Sequence, residues 1–315
     1  MSDIATPAAG EPTPEALRNP LRRYLLATRP AFLTITIAGC LLGFALTPVF
    51  RWELAGLTLV LALLAHAGVN VLNDYYDYLN GTDDANTGRL FPFTGGSRFI
   101  QNRVLTPRQT LAYGLALFAV VIAGGLWLIA QSGAGLFWIG LAGLAIGWAY
   151  SAPPLKLNSR GLGEVCVATG FLFIVAGSDF VQQGRFDALP WVAGLPYALL
   201  VTNVLYINQF PDREADRLAG KWHWVARLEP RVAARGYWLI LVLAVVSLAG
   251  AVLEEVLPAQ ALASLLGFLP ALKAGRLLSE NAAQPSQLVP PIRLTILAAH
   301  LQPIILAAVL FWSAA

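Results

Sequence analysis

The sequence predicts an all-α polytopic membrane protein, and three observations carry that prediction. Hydrophobic residues make up 57% of the 315-residue chain and charged residues only 12%, against roughly 25% charged in an ordinary soluble domain. The mean hydropathy is +0.62. The apolar residues gather into nine stretches near the length of a membrane span, roughly 20 residues. Finally, 19 of the 21 Lys and Arg residues fall on one side once those nine stretches are taken as crossings.

In chain order, residues 1–20 are polar and carry Pro7, Pro12, Pro14 and Pro20. They are expected to form a disordered cytoplasmic tail with no cleavable signal peptide, ahead of a single membrane domain over 21–315. The first span, about 31–49, follows Arg29-Pro30. The second, 55–79, ends in Asn73-Asp74-Tyr75-Tyr76-Asp77. The third, 109–130, and the fourth, 134–150, leave only 131–133 between them, and the fourth stops at Tyr150-Ser151-Ala152-Pro153-Pro154. The fifth, 162–181, and the sixth, 190–210, are joined by 182–189. The sixth runs into Asn208 and Asp212, where Pro211 is expected to kink the helix or start a new one. The seventh, 236–256, the short eighth, 259–275, and the ninth, 294–313, complete the set. Cys40 and Cys166 lie in apolar runs without metal-ligand spacing and are expected to be small core residues.

Only Arg51 and Arg185 fall on the sparsely charged side. The positive-inside rule therefore places the N-terminus in the cytoplasm, the C-terminus outside and both acidic motifs on the cytoplasmic face. Each half of the chain contains a span ending in N-x-x-x-D followed by a long polar loop, 80–108 and 213–235, which suggests two pseudo-similar halves. Loops of this length beside charged clusters are often functional.

The chemistry lies in those two clusters. On a helix, Asn70, Asn73 and Asp77 share one face, while Asp74 is turned by about 100°. Asn80-Gly81 breaks the helix and lets Asp83 and Asp84 curl back toward the same cavity. In the second cluster Asn208, Asp212 and Asp216 repeat at i, i+4 and i+8. Carboxylates at membrane depth argue for a site, and two converging sets could hold Mg²⁺, which prefers a few carboxylates plus phosphate oxygens and water. A solvated helix end is the alternative reading of each cluster alone; four acids with paired asparagines exceed what such an end needs. A diphosphate also requires cations, and the candidates are Arg29, Arg89, Arg98, Lys156 and Lys221, each of which is otherwise an anchor on the positive side. Thr94-Gly95-Gly96-Ser97-Arg98 could present backbone N–H groups to phosphate, and the Tyr150 and Ser151 hydroxyls could reach a substrate. His66 and His300 are expected to be packed or interfacial, and Trp222, His223 and Trp224 to lie at the lipid interface. A cation-coupled transporter with carboxylates at a repeat interface is the competing reading. It leaves unexplained why both acidic sets lie at one face beside basic loops.

The stretches NDYYDYLNGTD (73–83), PFTGGSR (92–98), YSAPPLKL (150–157) and NQFPDREADRLAGK (208–221) resemble those of the UbiA-type superfamily of intramembrane prenyltransferases. The resemblance runs from Arg29 to about Arg293. Within that superfamily Gly81 and Asp83, GLGEV (161–165) and VQQG (181–184) are similar to the 1,4-dihydroxy-2-naphthoate prenyltransferases of menaquinone synthesis. The resemblance implies nine helices around a central cavity, with Asn73, Asp77, Asn208 and Asp212 catalytic. It implies Mg²⁺ held by Asn73, Asp77, Asp83, Asn208, Asp212 and Asp216, with Asp74 an extra ligand or a supporting group. Arg29, Arg98, Lys156, Lys221, Tyr150 and Ser151 would bind the diphosphate. The implied partners are a polyprenyl diphosphate, an aromatic acceptor and the lipid bilayer of a bacterial or archaeal plasma membrane, with no nucleic acid. Trp222-His223-Trp224 departs from the pattern, so a hydroxybenzoate, homogentisate, porphyrin or sugar phosphate acceptor stays open beside the naphthoate.

Overall fold

The computed structural model describes residues 7–48 and 50–314. Residues 1–6 of the expected tail, Val49 at the end of the expected first span, and Ala315 lie outside the described residues. The helices follow in chain order: α1 Pro20–Ala27, α2 Pro30–Phe44, α3 Trp52–Leu79, α4 Thr82–Ala85, α5 Pro107–Ser132, α6 Leu136–Ser151, α7 Gly163–Gln183, α8 Leu189–Leu218, α9 Trp224–Arg227, α10 Pro230–Leu253, α11 Leu269–Asn281 and α12 Val289–Ala314. Short 3-10 segments cover Leu157–Arg160, Ala259–Phe268 and Pro285–Gln287, and there is no strand among the described residues.

Helix overlaps each expected span, although α2 ends at Phe44 and 259–268 of the eighth is 3-10 helix, and the protein is an integral membrane protein. The count is less uniform than the nine expected. Seven segments are long and apolar enough to cross a bilayer among the described residues, with Ala259–Asn281 counted as one. An eighth crossing is complete only if α1 and α2, bent by 62° at Thr28-Arg29, are taken together. At 16 residues, α6 spans only about 24 Å at 1.5 Å per residue, short of a hydrocarbon core of about 30 Å.

Helix starts are set by local chemistry. Proline stands at the first turn of α1, α2, α5, α8, α10 and α11, where its missing N–H costs nothing. Thr106 and Gln109 form a reciprocal capping box at α5. Packing within the bilayer relies on small residues that let backbones approach. A Cβ on Gly43 would strike the Val175 carbonyl and, at 2.7 Å, the Ser178 side chain, so α2 lies directly on α7. Gly39 makes room for the ring of Tyr197, which is fully buried and donates to the Ile35 carbonyl at 2.9 Å. The most buried of the seven spans is α8, which has α7 and α10 along its sides.

Two expectations about segment ends are revised. The helix α8 runs unbroken through Pro196 and Pro211 rather than restarting at Pro211. It continues to Leu218, with Arg217 and Glu214 paired at i, i+3, so the second polar connection shrinks from 213–235 to 219–229. Residues 7–19 differ from a disordered tail: Leu17 is buried against Phe99, Val104 and Leu105, and the Glu11 side chain is buried and paired with Arg89 at 2.5 Å. This segment lies as a strap against the 80–106 connection.

Candidate active site

The site forms where α3 and α8 end. Asn70, Asn73 and Asp77 on α3 line a cavity of about 660 Å³, as do Asn208, Asp212 and Asp216 on α8. Helical spacing does this, because residues three or four apart project to the same side. From Thr58 to Asp77, both on its wall, the cavity follows nineteen residues of α3, or about 28 Å of helix rise. Beyond the acidic end the lining is largely apolar, with Val121, Leu128, Phe137, Leu144, Ile174 and Val181 among its walls.

Past Leu79 the chain reverses at Gly81, whose φ of 78° is the left-handed conformation glycine tolerates. This turn carries α4 and buries Asp83 on the cavity wall while Asp84 stays exposed, so only one of the two expected carboxylates curls back. Gly96 lies against the Asp83 carboxylate so closely that a Cβ would come within 2.8 Å of its Cγ. The Gly95 N–H donates to Asp212 Oδ2 at 3.4 Å. The glycine pair thus brings backbone onto the acids themselves.

Asn73 Nδ2 donates to Asp77 Oδ2 at 3.1 Å and to Ser151 Oγ at 3.0 Å. Asn86 Nδ2 donates to Asp212 Oδ1 at 2.5 Å. Lys221 bridges the two clusters, its Nζ lying 2.7 Å from Asp77 Oδ1 and 3.5 Å from Asp216 Oδ1. Burial alone would make this ammonium easier to deprotonate, but the charges of Asp77 and Asp216 hold its pKa above the ordinary lysine value. Burial and the charges of Asp77 and Asp74 push the Asp83 carboxyl well above the ordinary aspartate value. His223 Nδ1 accepts the Ala226 N–H at 3.2 Å, which leaves Nε2 to donate to Asp216 Oδ2 at 2.9 Å.

The other expected residues separate by position. Arg29 and Tyr150 line the cavity. Asp74 is not on the cavity wall; it pairs with Arg29 and accepts the Ser97 N–H at 3.3 Å, and so supports Arg29. Ser151 and Lys156 are not on the cavity wall; Ser151 orients Asn73 and Asn158. Arg98 also lies off the wall, its guanidinium donating to the Asp83 carbonyl, with its pKa lowered by burial and by the charge of Arg89. Arg89 is spent on Glu11 and on the Asn86 carbonyl at 2.9 Å. Of the residues expected to bind a diphosphate, the structure thus brings Arg29, Lys221 and Tyr150 to the cavity wall and places Arg89, Arg98, Ser151 and Lys156 off it. His223, placed at the lipid interface from sequence, is buried at the site, whereas Trp222 and Trp224 are exposed. Asn86 and Asn158 were not named from the sequence, and His223 was named in another role; the signal in each case was a position within three residues of a named site residue.

Whether these groups suit a divalent cation is answered by their donors. Asp83 Oδ2 and Asn208 Oδ1 are buried oxygens without a hydrogen-bond partner, a costly condition that a cation relieves. All donors are hard oxygens, as Mg²⁺ requires, and the Lys221 ammonium already stands as a cation between Asp77 and Asp216. Among the described residues, no three acidic, His or Cys side chains converge on one metal-sized point. Mg²⁺ needs only one or two carboxylates when phosphate oxygens and water complete the shell. The residues fit.

Residues 32–312 match a family model described as the UbiA prenyltransferase family. The chain is 30% identical over 203 residues to the 1,4-dihydroxy-2-naphthoate octaprenyltransferase of Bacillus subtilis (strain 168), covering 62% of each chain. It therefore spans about three fifths of that relative's length. It is 28% identical over 224 residues to the protein of the same description in Mycobacterium leprae, covering 70% of this chain and 74% of that one. Among solved structures, a UbiA homolog from Archaeoglobus fulgidus bound to DMAPP and Mg²⁺ has the same fold, with a TM-score of 0.60 at 17% identity. That match covers 90% of this chain and 99% of the other.

Proposed function

The chain belongs to the UbiA prenyltransferase family, and we propose that it transfers a polyprenyl group from an allylic polyprenyl diphosphate to an aromatic acceptor, with Mg²⁺ as cofactor. The carrying observation is the meeting of two Asn/Asp sets at the polar end of a long apolar cavity. Similarity to relatives described as 1,4-dihydroxy-2-naphthoate octaprenyltransferases supports that naphthoate as acceptor and a role in menaquinone synthesis. The transporter reading accounts for paired acidic helices but not for the long apolar cavity that leads away from them. The charge segregation in the sequence supports a cytoplasmic N-terminus and a site opening to the cytoplasmic side.

Asn73, Asp77 and Asp83 on one side and Asn208, Asp212 and Asp216 on the other would hold the metal. Bound Mg²⁺ would supply charge neutralisation of the diphosphate oxygens. Lys221 and Arg29, both on the cavity wall, are the cations placed to bind the diphosphate as the allylic C–O bond breaks and its electron pair leaves with the diphosphate. The apolar wall keeps water from the allylic cation, and Phe93, Phe171 and Tyr150 bring aromatic rings to it. An acceptor ring carbon then forms the new C–C bond. Loss of that carbon's proton, or of carbon dioxide from a carboxylated ring, restores aromaticity.

The test is turnover by detergent-purified protein given geranylgeranyl or farnesyl diphosphate, Mg²⁺ and a panel of aromatic acceptors, with products read by mass spectrometry. A prenylated naphthol lacking its carboxylate is expected. Product with another acceptor would keep the reaction and change the pathway, and no Mg²⁺-dependent diphosphate release with any acceptor would overturn the proposal. Gly96→Ala is a sharper probe. Gly96 has φ of 73°, and the added methyl would push on Asp83. A displacement of this kind is expected to raise the half-saturating Mg²⁺ concentration on the order of tenfold, as read by titrating Mg²⁺ against turnover.

A further inference from the structure

The strap over residues 7–19 contains a buried charge that the reaction does not use. Glu11 has a fully buried side chain, and Arg89 beside it is only 8% exposed. A buried pair of this kind is costly to assemble and costlier to break, since either partner alone is an uncompensated charge in a poorly solvated place. Both oxygens of Glu11 are engaged. Oε1 accepts from Arg89 Nε at 2.5 Å, and Oε2 accepts from Asn102 Nδ2 at 3.1 Å. Asn102 Nδ2 also donates to the Pro12 carbonyl at 3.0 Å. These contacts outweigh burial and hold the Glu11 carboxyl below its ordinary value.

The pair leads to the acidic site by two routes. Arg89 Nη1 donates to the Asn86 carbonyl at 2.9 Å, and Asn86 Nδ2 donates to Asp212 Oδ1. The aliphatic part of Arg89 also lies beneath Gly95, where a Cβ would come within 2.6 Å of the Arg89 Cβ, and the Gly95 N–H is another donor to Asp212. Without Glu11, the guanidiniums of Arg89 and Arg98 would be left to repel one another under the loop.

We propose that Glu11 is a positioning residue. By fixing Arg89 it clamps the 86–103 loop, and through Asn86 and Gly95 it sets Asp212 for metal and diphosphate. The strap is thus part of the site's architecture although no atom of Glu11 faces the cavity. The catalytic consequence rests on the prenyl-transfer reading; the clamping of the loop does not.

The test is hydrogen–deuterium exchange on the full-length, detergent-purified protein without substrate, comparing wild type with Glu11→Gln, Arg89→Gln and the charge swap Glu11→Arg with Arg89→Glu. The single variants are expected to lose protection across 86–103 while α10 and α12 exchange as in wild type, and the swap is expected to restore it. Binding of inorganic diphosphate with Mg²⁺ should weaken on the order of tenfold to a hundredfold in the single variants and recover in the swap. Unchanged exchange over 86–103 in Glu11→Gln would overturn the proposal. So would a swap no better than either single variant, or a loss of protection spread evenly over all spans, which would make Glu11 a general fold element. If wild type transfers no prenyl group but the loop still loosens in Glu11→Gln, the strap stands and the reaction falls. If wild type turns over and the loop is unmoved, the reverse holds.

Discussion

Asp77→Asn and Asp212→Asn are each expected to reduce Mg²⁺-dependent prenyl transfer by at least a hundredfold, the scale seen when one preorganised electrostatic group is removed from an active site. Both substitutions keep the shape and remove one negative charge from the cavity wall. In Asp77→Asn the Asn73 contact survives as an amide pair, and Lys221 keeps only Asp216, 3.5 Å away. In Asp212→Asn the new amide oxygen can keep the Gly95 N–H, and Asn86, which donates to the other oxygen, can turn its own amide to accept from the new NH2. The fold should therefore persist, with thermal unfolding in detergent close to wild type while turnover collapses. Full activity in either variant would remove these aspartates from the mechanism.

Lys221→Met is expected to be the most destabilising single change at the site when Mg²⁺ is absent. Its side chain is only 10% exposed, and it is the cation between Asp77 and Asp216. Removing one partner of a buried ionic cluster costs on the order of 3–5 kcal/mol. Thermal unfolding in EDTA should show the full loss. Addition of Mg²⁺ with inorganic diphosphate should recover part of it, because a ligand bound only by the folded state stabilises it. A variant equally stable with and without Mg²⁺ and diphosphate would mean that they do not enter the space Lys221 vacates. The sign of the pH effect is definite. The folded-state pKa of Lys221 lies above its ordinary value of 10.5, so its stabilisation is fully present below that value and is lost only as pH rises through the raised pKa. Its contribution is flat between about pH 6 and 9, and any dependence there comes from other groups.

Much of the site was legible because it is written at helical spacing. Asn73 and Asp77, like Asn208, Asp212 and Asp216, differ by multiples of four on uninterrupted helices, and such residues face one way wherever the helix is placed. Asp74 shows the same rule from the other side. One position from Asn73, it faces away, and the sequence already turned it by about 100°. The cations were less legible. Arg29, Arg89, Arg98, Lys156 and Lys221 all lie near the acids in sequence, yet only Arg29 and Lys221 line the cavity. Each long side chain selects its partner from groups brought close by folding, and Glu11 and the Asp83 carbonyl took two of them.

The sequence by itself determined the membrane class, the approximate positions of most helices and the two acidic faces. These depend on local hydropathy and on a 3.6-residue repeat, both of which are short-range. Only the tertiary structure decided that Lys221 bridges Asp77 and Asp216 and that His223 caps α9 while holding Asp216. It alone showed that residues 7–19 close back over the loop. Those contacts join groups as far apart in sequence as Glu11 and Arg89 or Asn86 and Asp212. Their geometry is set by how the helices pack and where the loops return, which no local repeat encodes.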